Sequence, residues 1–183
     1  MSVSSPIKRF ILCVISYAFM VSPALSKAPD DFYQAKQVVY RLFKDHKTTL
    51  YCQCPFNERR ETDLKACGMQ SASHIKRARR VEIEHMMPAE NFGRQFKCWR
   101  EKLCVDTHSG RTYKGRKCCQ KISAEFRQAE AELYNLWPAV GLVNQARSNF
   151  RYSPLPQKNG FYGCAMEIDK SGRKASPPSP WRA

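Results

Sequence analysis

The chain has 183 residues, enough for one domain with a real core and too few for two of ordinary size. Its 31 lysines and arginines against 16 acids leave a formal charge of +15. A surplus of that size points to a polyanionic partner, either nucleic acid or an anionic membrane, and charge alone does not choose between them.

Taken in order, Lys8 and Arg9 precede an apolar run from Phe10 to Met20, and small residues follow at Pro23-Ala24-Leu25-Ser26. That is the layout of a signal peptide over 1–26 with cleavage after Ser26, because the run is too short to span a bilayer. Export is therefore expected, with no membrane attachment after cleavage. Losing Lys8 and Arg9 from a stretch without acids lowers the charge to +13, and losing Cys13 leaves eight cysteines: Cys52, Cys54, Cys67, Cys98, Cys104, Cys118, Cys119 and Cys164. An even set in an exported chain reads as a disulfide framework whose pairing stays open. The competing reading is zinc, but neither Cys52-Gln53-Cys54 nor the Cys98 to Cys104 spacing is a C-x2-C pair.

Asp30 or Asp31 can cap a helix over 32–46, where Phe32, Ala35, Val39, Leu42 and Phe43 recur at helical spacing. Residues 51–68 turn to Cys, Pro, Asn and charge, as in a bridged loop or short hairpin. The run 74–80 concentrates Lys76, Arg77, Arg79 and Arg80, either a solvated face or a phosphate-holding one. Val81 to Pro88 alternates like a short strand, with Glu82 and Glu84 on one face and His85 at its end.

Residues 93–121 show no sustained period and read as a long bridged excursion. Ser123 can cap a helix to about Leu133, with Phe126, Ala129 and Leu133 on one stripe; Asn135 to Pro138 is a short extended piece, and Val140 to Asn149 starts another helix. The Ser, Gly and Pro of 171–183 predict a disordered tail with no core-forming capacity. There is no internal repeat. His46, His74 and His108 carry little weight, and Trp99, Trp137 and Tyr113 are read as core aromatics.

Phosphodiester hydrolysis needs a base to activate water, a hard cation for the developing charge, and cationic side chains to hold the phosphate. Glu84-His85 supplies two of these side by side. Neighbours on a strand point to opposite faces, so their convergence predicts a bend at the strand's end next to Pro88. A Glu-His pair alone is more often a surface pair. The stretch from Asn135 to Asn149 adds amides and Arg147 on a strand-to-helix unit, just after a helix carrying Glu130. A helix amide meeting the Glu84 carboxylate gives an oxygen-only site of low ligand count, suited to Mg²⁺ that keeps several waters. The ordinary alternative makes Asn135, Asn144 and Asn149 caps and turn formers, and Arg147 a surface ion-pair partner.

Together these motifs resemble a known family: Arg80-Val-Glu-Ile-Glu84-His85-Met-Met-Pro-Ala, Phe92-Gly, Cys98-Trp, Gly115-Arg-Lys-Cys118, Tyr134-Asn-Leu-Trp-Pro-Ala-Val-Gly-Leu-Val-Asn144, Arg147-Ser-Asn-Phe and Tyr162-Gly-Cys-Ala-Met. They are similar to bacterial endonuclease I, the periplasmic or secreted non-specific nucleases of the ββα-metal (His-Me finger) group, from about Phe32 to Ile168. The resemblance implies an α+β, disulfide-rich single domain over 27–170 containing a ββα-metal unit. It implies His85 as general base, Glu84 and Asn144 as metal ligands, Arg116 as the cation that holds the cleaved phosphate, and Glu130 as a supporting acid. It further implies Mg²⁺ or another divalent cation, DNA and RNA as substrates, a monomer, and a periplasmic or secreted location.

Three departures stand out. The family's usual Gly-Glu-Val-Asn-Gly-Asp-Arg run is here Gly141-Leu-Val-Asn144-Gln-Ala-Arg147, which removes two acids and a glycine around Asn144. Tyr134 replaces a common histidine. Family members also continue beyond the position of Pro178 with a helical, tryptophan-containing segment, so a shortened product is expected. Two rivals remain at this point: an exported basic protein that binds nucleic acid without cutting it, such as an inactive shortened nuclease, and a membrane-active basic protein. The second predicts a broad basic amphipathic helix; the first leaves Glu84, His85 and Asn144 unexplained, because carboxylate beside phosphate weakens binding unless a cation intervenes.

Overall fold

A computed structural model describes residues 27–178. The expected signal peptide and the last five residues of the expected tail lie outside the described residues. The first helix, α1 (Phe32–Leu42), is opened by Asp31, whose carboxylate accepts from the Gln34 N–H at 2.9 Å. It stops four residues before the expected end, because backbone turns take over at Lys44 and His46, which donate to the carbonyls of Arg41 and Phe43. Ala35 and Val39 on its inner face pack with Ile83, Ala131 and Leu136. The basic run forms one turn, α2 (Ile75–Ala78), and leads directly into β1 (Val81–His85).

The excursion after β1 is more regular than its sequence: α3 (Ala89–Gly93), α4 (Lys97–Arg100), a hairpin of β2 (Cys104–Val105) and β3 (Thr112–Tyr113), and α5 (Arg116–Ile122). These elements are too short to show a period, and the disulfides Cys98–Cys119 and Cys104–Cys118 clasp them around Phe126. The helix capped by Ser123, α6 (Ala124–Glu130), gives way to a 3-10 turn at Leu133–Asn135 before β4 (Leu136–Val140) and α7 (Gly141–Arg147).

Strands β1 and β4 pair antiparallel, from Val81 opposite Val140 to His85 opposite Leu136. Hydrogen bonds from Gly141 N to Arg80 O and from Met86 N to Asn135 O place the bonded pairs at the even positions of β1. Pro138, opposite Ile83, therefore sits where an N–H would point away from β1, and the ladder loses nothing.

The remaining strands, β5 (Arg151–Tyr152), β6 (Glu167–Asp169) and β7 (Lys174–Ser176), form a sheet in the order β5-β7-β6. This corrects the expected tail. Residues 174–176 form the central strand of that sheet, Ala175 and Ser176 are buried, and main-chain pairing to both neighbours holds a segment whose side chains are too small to announce a core. The folded part accordingly runs past the expected boundary at 170. Cys52–Cys164 and Cys54–Cys67 complete four bridges that use all eight cysteines outside 1–26, which closes the zinc reading of those thiols. The architecture is α+β and disulfide-rich. Among the described residues no helix is long and apolar enough to cross a membrane.

Candidate active site

A cavity of about 700 Å³ runs along β1. All five β1 residues line it and none of β4 does, so it follows the edge of β1 that faces away from β4, between α1 and α7. That placement brings together side chains from both faces of one strand. Glu82 and Glu84 project toward α7, and Ile83 and His85 toward α1. No bend is required: β1 stays in register with β4 through His85, which replaces the expected convergence at Pro88.

The His85 ring lies 4.7 Å from the Phe32 ring, and its Nε2 is 2.9 Å from the backbone carbonyl of Glu130 at the end of α6. A carbonyl only accepts, so Nε2 carries the proton and Nδ1 keeps its lone pair. Burial lowers the His85 pKa to about 4; the Glu130 carbonyl pulls it up, and the charges of Arg116 and Arg147 push it down. The imidazole is therefore neutral at physiological pH.

Glu130 itself is buried, and its carboxylate accepts from Gln120 Nε2 at 2.8 and 2.9 Å and from Arg116 Nε. Arg116 opens α5 after Gly115, whose φ of +91° favours glycine. Its guanidinium lies 5.2 Å from the Phe32 ring, and Nη2 has no hydrogen-bond partner among the described residues. Glu130 thus orients two cavity-lining groups at once, the imidazole by its main chain and the guanidinium by its side chain.

Glu84 is 3% exposed. Its Oε1 accepts from Arg147 Nη1 at 2.9 Å and from the Tyr51 hydroxyl at 3.1 Å. Burial raises its pKa to about 7, against the attraction of Arg147 and the hydrogen bonds from Tyr51 and the backbone. Arg147 corrects an expectation: it is no surface ion-pair partner but is 1% exposed. Besides Glu84, its guanidinium donates to the carbonyls of His85, at 2.7 Å, and Met86, and it lies 4.7 Å from the Tyr152 ring. An arginine can be buried there because one carboxylate and two carbonyls at the end of β1 engage both of its Nη atoms, while Nε has no hydrogen-bond partner among the described residues.

The direct hydrogen bond of Asn144 to β1 goes to Glu82, the neighbour of Glu84 on the same strand face. Asn144 Nδ2 donates to Glu82 Oε2 at 3.2 Å, and the same oxygen accepts from Arg77 Nη2 at 2.9 Å. Arg77 Nε also donates to Gly141 O at 3.1 Å, fastening the basic run to the start of α7. Glu84, His85, Arg116 and Asn144 therefore all line one cavity and Glu130 backs it; Glu82, Arg77 and Arg147, named in the sequence without a place in the resemblance's site, join them, and Tyr51 and Tyr152 are participants that sequence reasoning missed. For Arg147 a signal existed, since it stands three residues after Asn144 on the same helix face. Tyr51, in a segment read only as a bridged loop, gave none.

The family model for Endonuclease I matches residues 15–182. Similar proteins include two extracellular deoxyribonucleases of Aeromonas hydrophila. One is 38% identical over 151 residues, 80% of this chain and 61% of that protein. The other is 36% identical over 172 residues, 91% of this chain and 69% of that protein. A periplasmic deoxyribonuclease of the same organism is 34% identical over 183 aligned residues, 97% of this chain and 72% of that protein. The chain thus spans between 61% and 72% of the length of these relatives. The family match covers most of the chain, two of these relatives are 36% and 34% identical and covered over 69% and 72% of their length, and the chain belongs to the endonuclease I family.

Proposed function

We propose that this protein is an exported, monomeric, metal-dependent endonuclease that hydrolyses phosphodiester bonds in DNA and also in RNA, with β1, β4 and α7 as its ββα-metal unit. The observation that carries the reading is the fixed tautomer of His85: Nε2 is committed to the Glu130 carbonyl, and Nδ1 keeps a lone pair in a cavity that also holds carboxylates, an amide and arginines. The periplasmic and extracellular names of the relatives support export, as do four disulfides that persist only in an oxidising compartment.

In this mechanism His85 Nδ1 takes a proton from water as the water oxygen bonds to phosphorus, and the P–O bond to the leaving oxygen breaks on the opposite side. The proton on Nδ1 makes an imidazolium whose Nε2–H stays anchored to the Glu130 carbonyl. Arg116, steered by Glu130 and with a side chain that is 40% exposed, offers its guanidinium to the phosphate.

The donor set fits one hard cation. Glu84 has an oxygen beyond the one taken by Arg147 and Tyr51, and the Asn144 amide uses its nitrogen on Glu82, which leaves its carbonyl oxygen for a ligand. Among the described residues no group of three or more His, Cys, Asp or Glu could hold a metal; a site of one carboxylate, one amide and waters is not of that kind. Glu84 and Asn144 would hold Mg²⁺ or another divalent cation, which would neutralise the charge that builds on the phosphate and leaving oxygen.

The test is digestion of double-stranded DNA, single-stranded DNA and RNA by the purified, oxidised chain, with Mg²⁺ and with a chelator. Cutting with Mg²⁺ and none in chelator is the expected result. Binding without cutting under both conditions overturns the reading in favour of the non-enzymatic binder.

A further inference from the structure

Two more cavities border the catalytic one. A cavity of about 470 Å³ shares Glu90 and Asn149 with it, another of about 400 Å³ shares Pro88 and Arg147 with it, and these two share Asn91, Arg151 and Tyr152 with each other. The three are therefore contiguous, and the outer pair have different chemistry.

The first is cationic. Arg94, Arg151, Arg173 and Lys174 line it against one acid, Glu90, which is already engaged by Arg94 and Asn149. Arg173 is held by a neutral amide, Asn149 Oδ1 at 2.7 Å, and lies 5.6 Å from the Phe150 ring. Neither Arg173 nor Arg151 is in an ion pair with a carboxylate among the described residues.

The second has no acid in its lining and presents a shelf: Tyr134 is 93% exposed and Met87 50%, with Phe150 and Tyr152 beside them. The shelf is built. The Asn135 side chain donates from Nδ2 to Met87 O at 3.0 Å and accepts the Met87 N–H at 2.6 Å on Oδ1, and Glu132 accepts the Tyr134 N–H at 3.3 Å.

We infer that the two cavities form one subsite for an unpaired nucleotide next to the scissile phosphate, the phosphate entering the Arg94–Arg151–Arg173–Lys174 cavity and the base stacking on Tyr134 and Met87. This inference rests on the nuclease reading. A cationic hole beside an accessible aromatic face matches a nucleotide with a free base face, and a paired base inside a duplex cannot offer that face. The subsite therefore favours single-stranded nucleic acid and locally opened duplex.

The test measures binding in chelator, so it does not depend on catalysis. A labelled short single-stranded DNA and its duplex are titrated with the full oxidised chain and with two variants at exposed positions, Tyr134→Ala and Arg151→Gln. Tyr134→Ala is expected to weaken single-strand binding about tenfold and duplex binding far less. Arg151→Gln is expected to weaken it too and to lower the slope of log K against log salt by about 0.7. Single-strand affinity unchanged in both variants, equal losses on duplex and single strand, or a parent that does not bind the single strand overturns the subsite. Failure of the nuclease reading appears separately, as a parent that does not cut with Mg²⁺.

Discussion

His85 and Glu84 are neighbours in the chain and carry opposite burdens. The imidazole is buried and lowered from an ordinary 6.5 to about 4, so the unfolded chain binds its proton more readily than the native one, and stability is lost as pH falls from about 6.5 toward 4. The Glu84 carboxyl is buried and raised from 4.5 to about 7, so its contribution is present below 4.5 and is lost as pH rises toward 7 and above. Each shift is worth about 3 kcal/mol at full development, and across pH 4.5–6.5 the two slopes cancel. Removing one group exposes the other. Apart from a pH-independent offset, His85→Ala is expected to gain stability relative to the parent as pH is lowered from 6.5 to 4, and Glu84→Gln to gain as pH is raised from 4.5 through 7. Urea unfolding in chelator with disulfides intact measures both, and parallel curves for parent and variants contradict the assigned shifts.

At the scale of elements, the site is a meeting of β1 with the start of α7, and Gly141 sets how close they come. A Cβ at Gly141 stands 2.9 Å from the Arg77 carbonyl oxygen and 2.9 Å from Glu82 Oε1, so Gly141→Ala must push α7 away from β1 or break the Arg77–Glu82–Asn144 chain. A loss of about 1–3 kcal/mol in thermal or urea unfolding is expected; a variant as stable as the parent shows that the close approach does not matter.

The alternation of β1, the caps Asp31 and Ser123 and the start of α7 were legible because each is local chemistry within a few residues. The burial of Arg147 and its partners were not, since those partners on β1 lie 61 to 63 residues earlier. Nor was the Asn144 partner: Glu82 and Glu84 share a strand face, and only the placement of α7 decides which of them the amide meets. Helix α5 was hidden by its shortness, and β7 by side chains whose burial depends on the sheet around them.

For the molecule as a whole, the even cysteine count announced bridges, but their pairing depended on the fold: Cys52–Cys164 closes 112 residues and ties the Tyr51 segment to the sheet-bearing end, while Cys98–Cys119 and Cys104–Cys118 secure the excursion that carries Arg116. Bridges over loops of 13 to 112 residues contribute about 3 to 5 kcal/mol each. The positive charge read from composition recurs around the cavity along β1 and its cationic neighbour, where Lys36, Arg77, Arg116, Arg151 and Arg173 surround a few paired acids.

On this account the cations bind the polyanion and His85 alone supplies the base. The most direct measurement compares parent and His85→Ala on supercoiled plasmid, with binding followed in chelator and cleavage followed with Mg²⁺. The account predicts equal binding and no cleavage by the variant. Cleavage by His85→Ala at the parent's rate would contradict it.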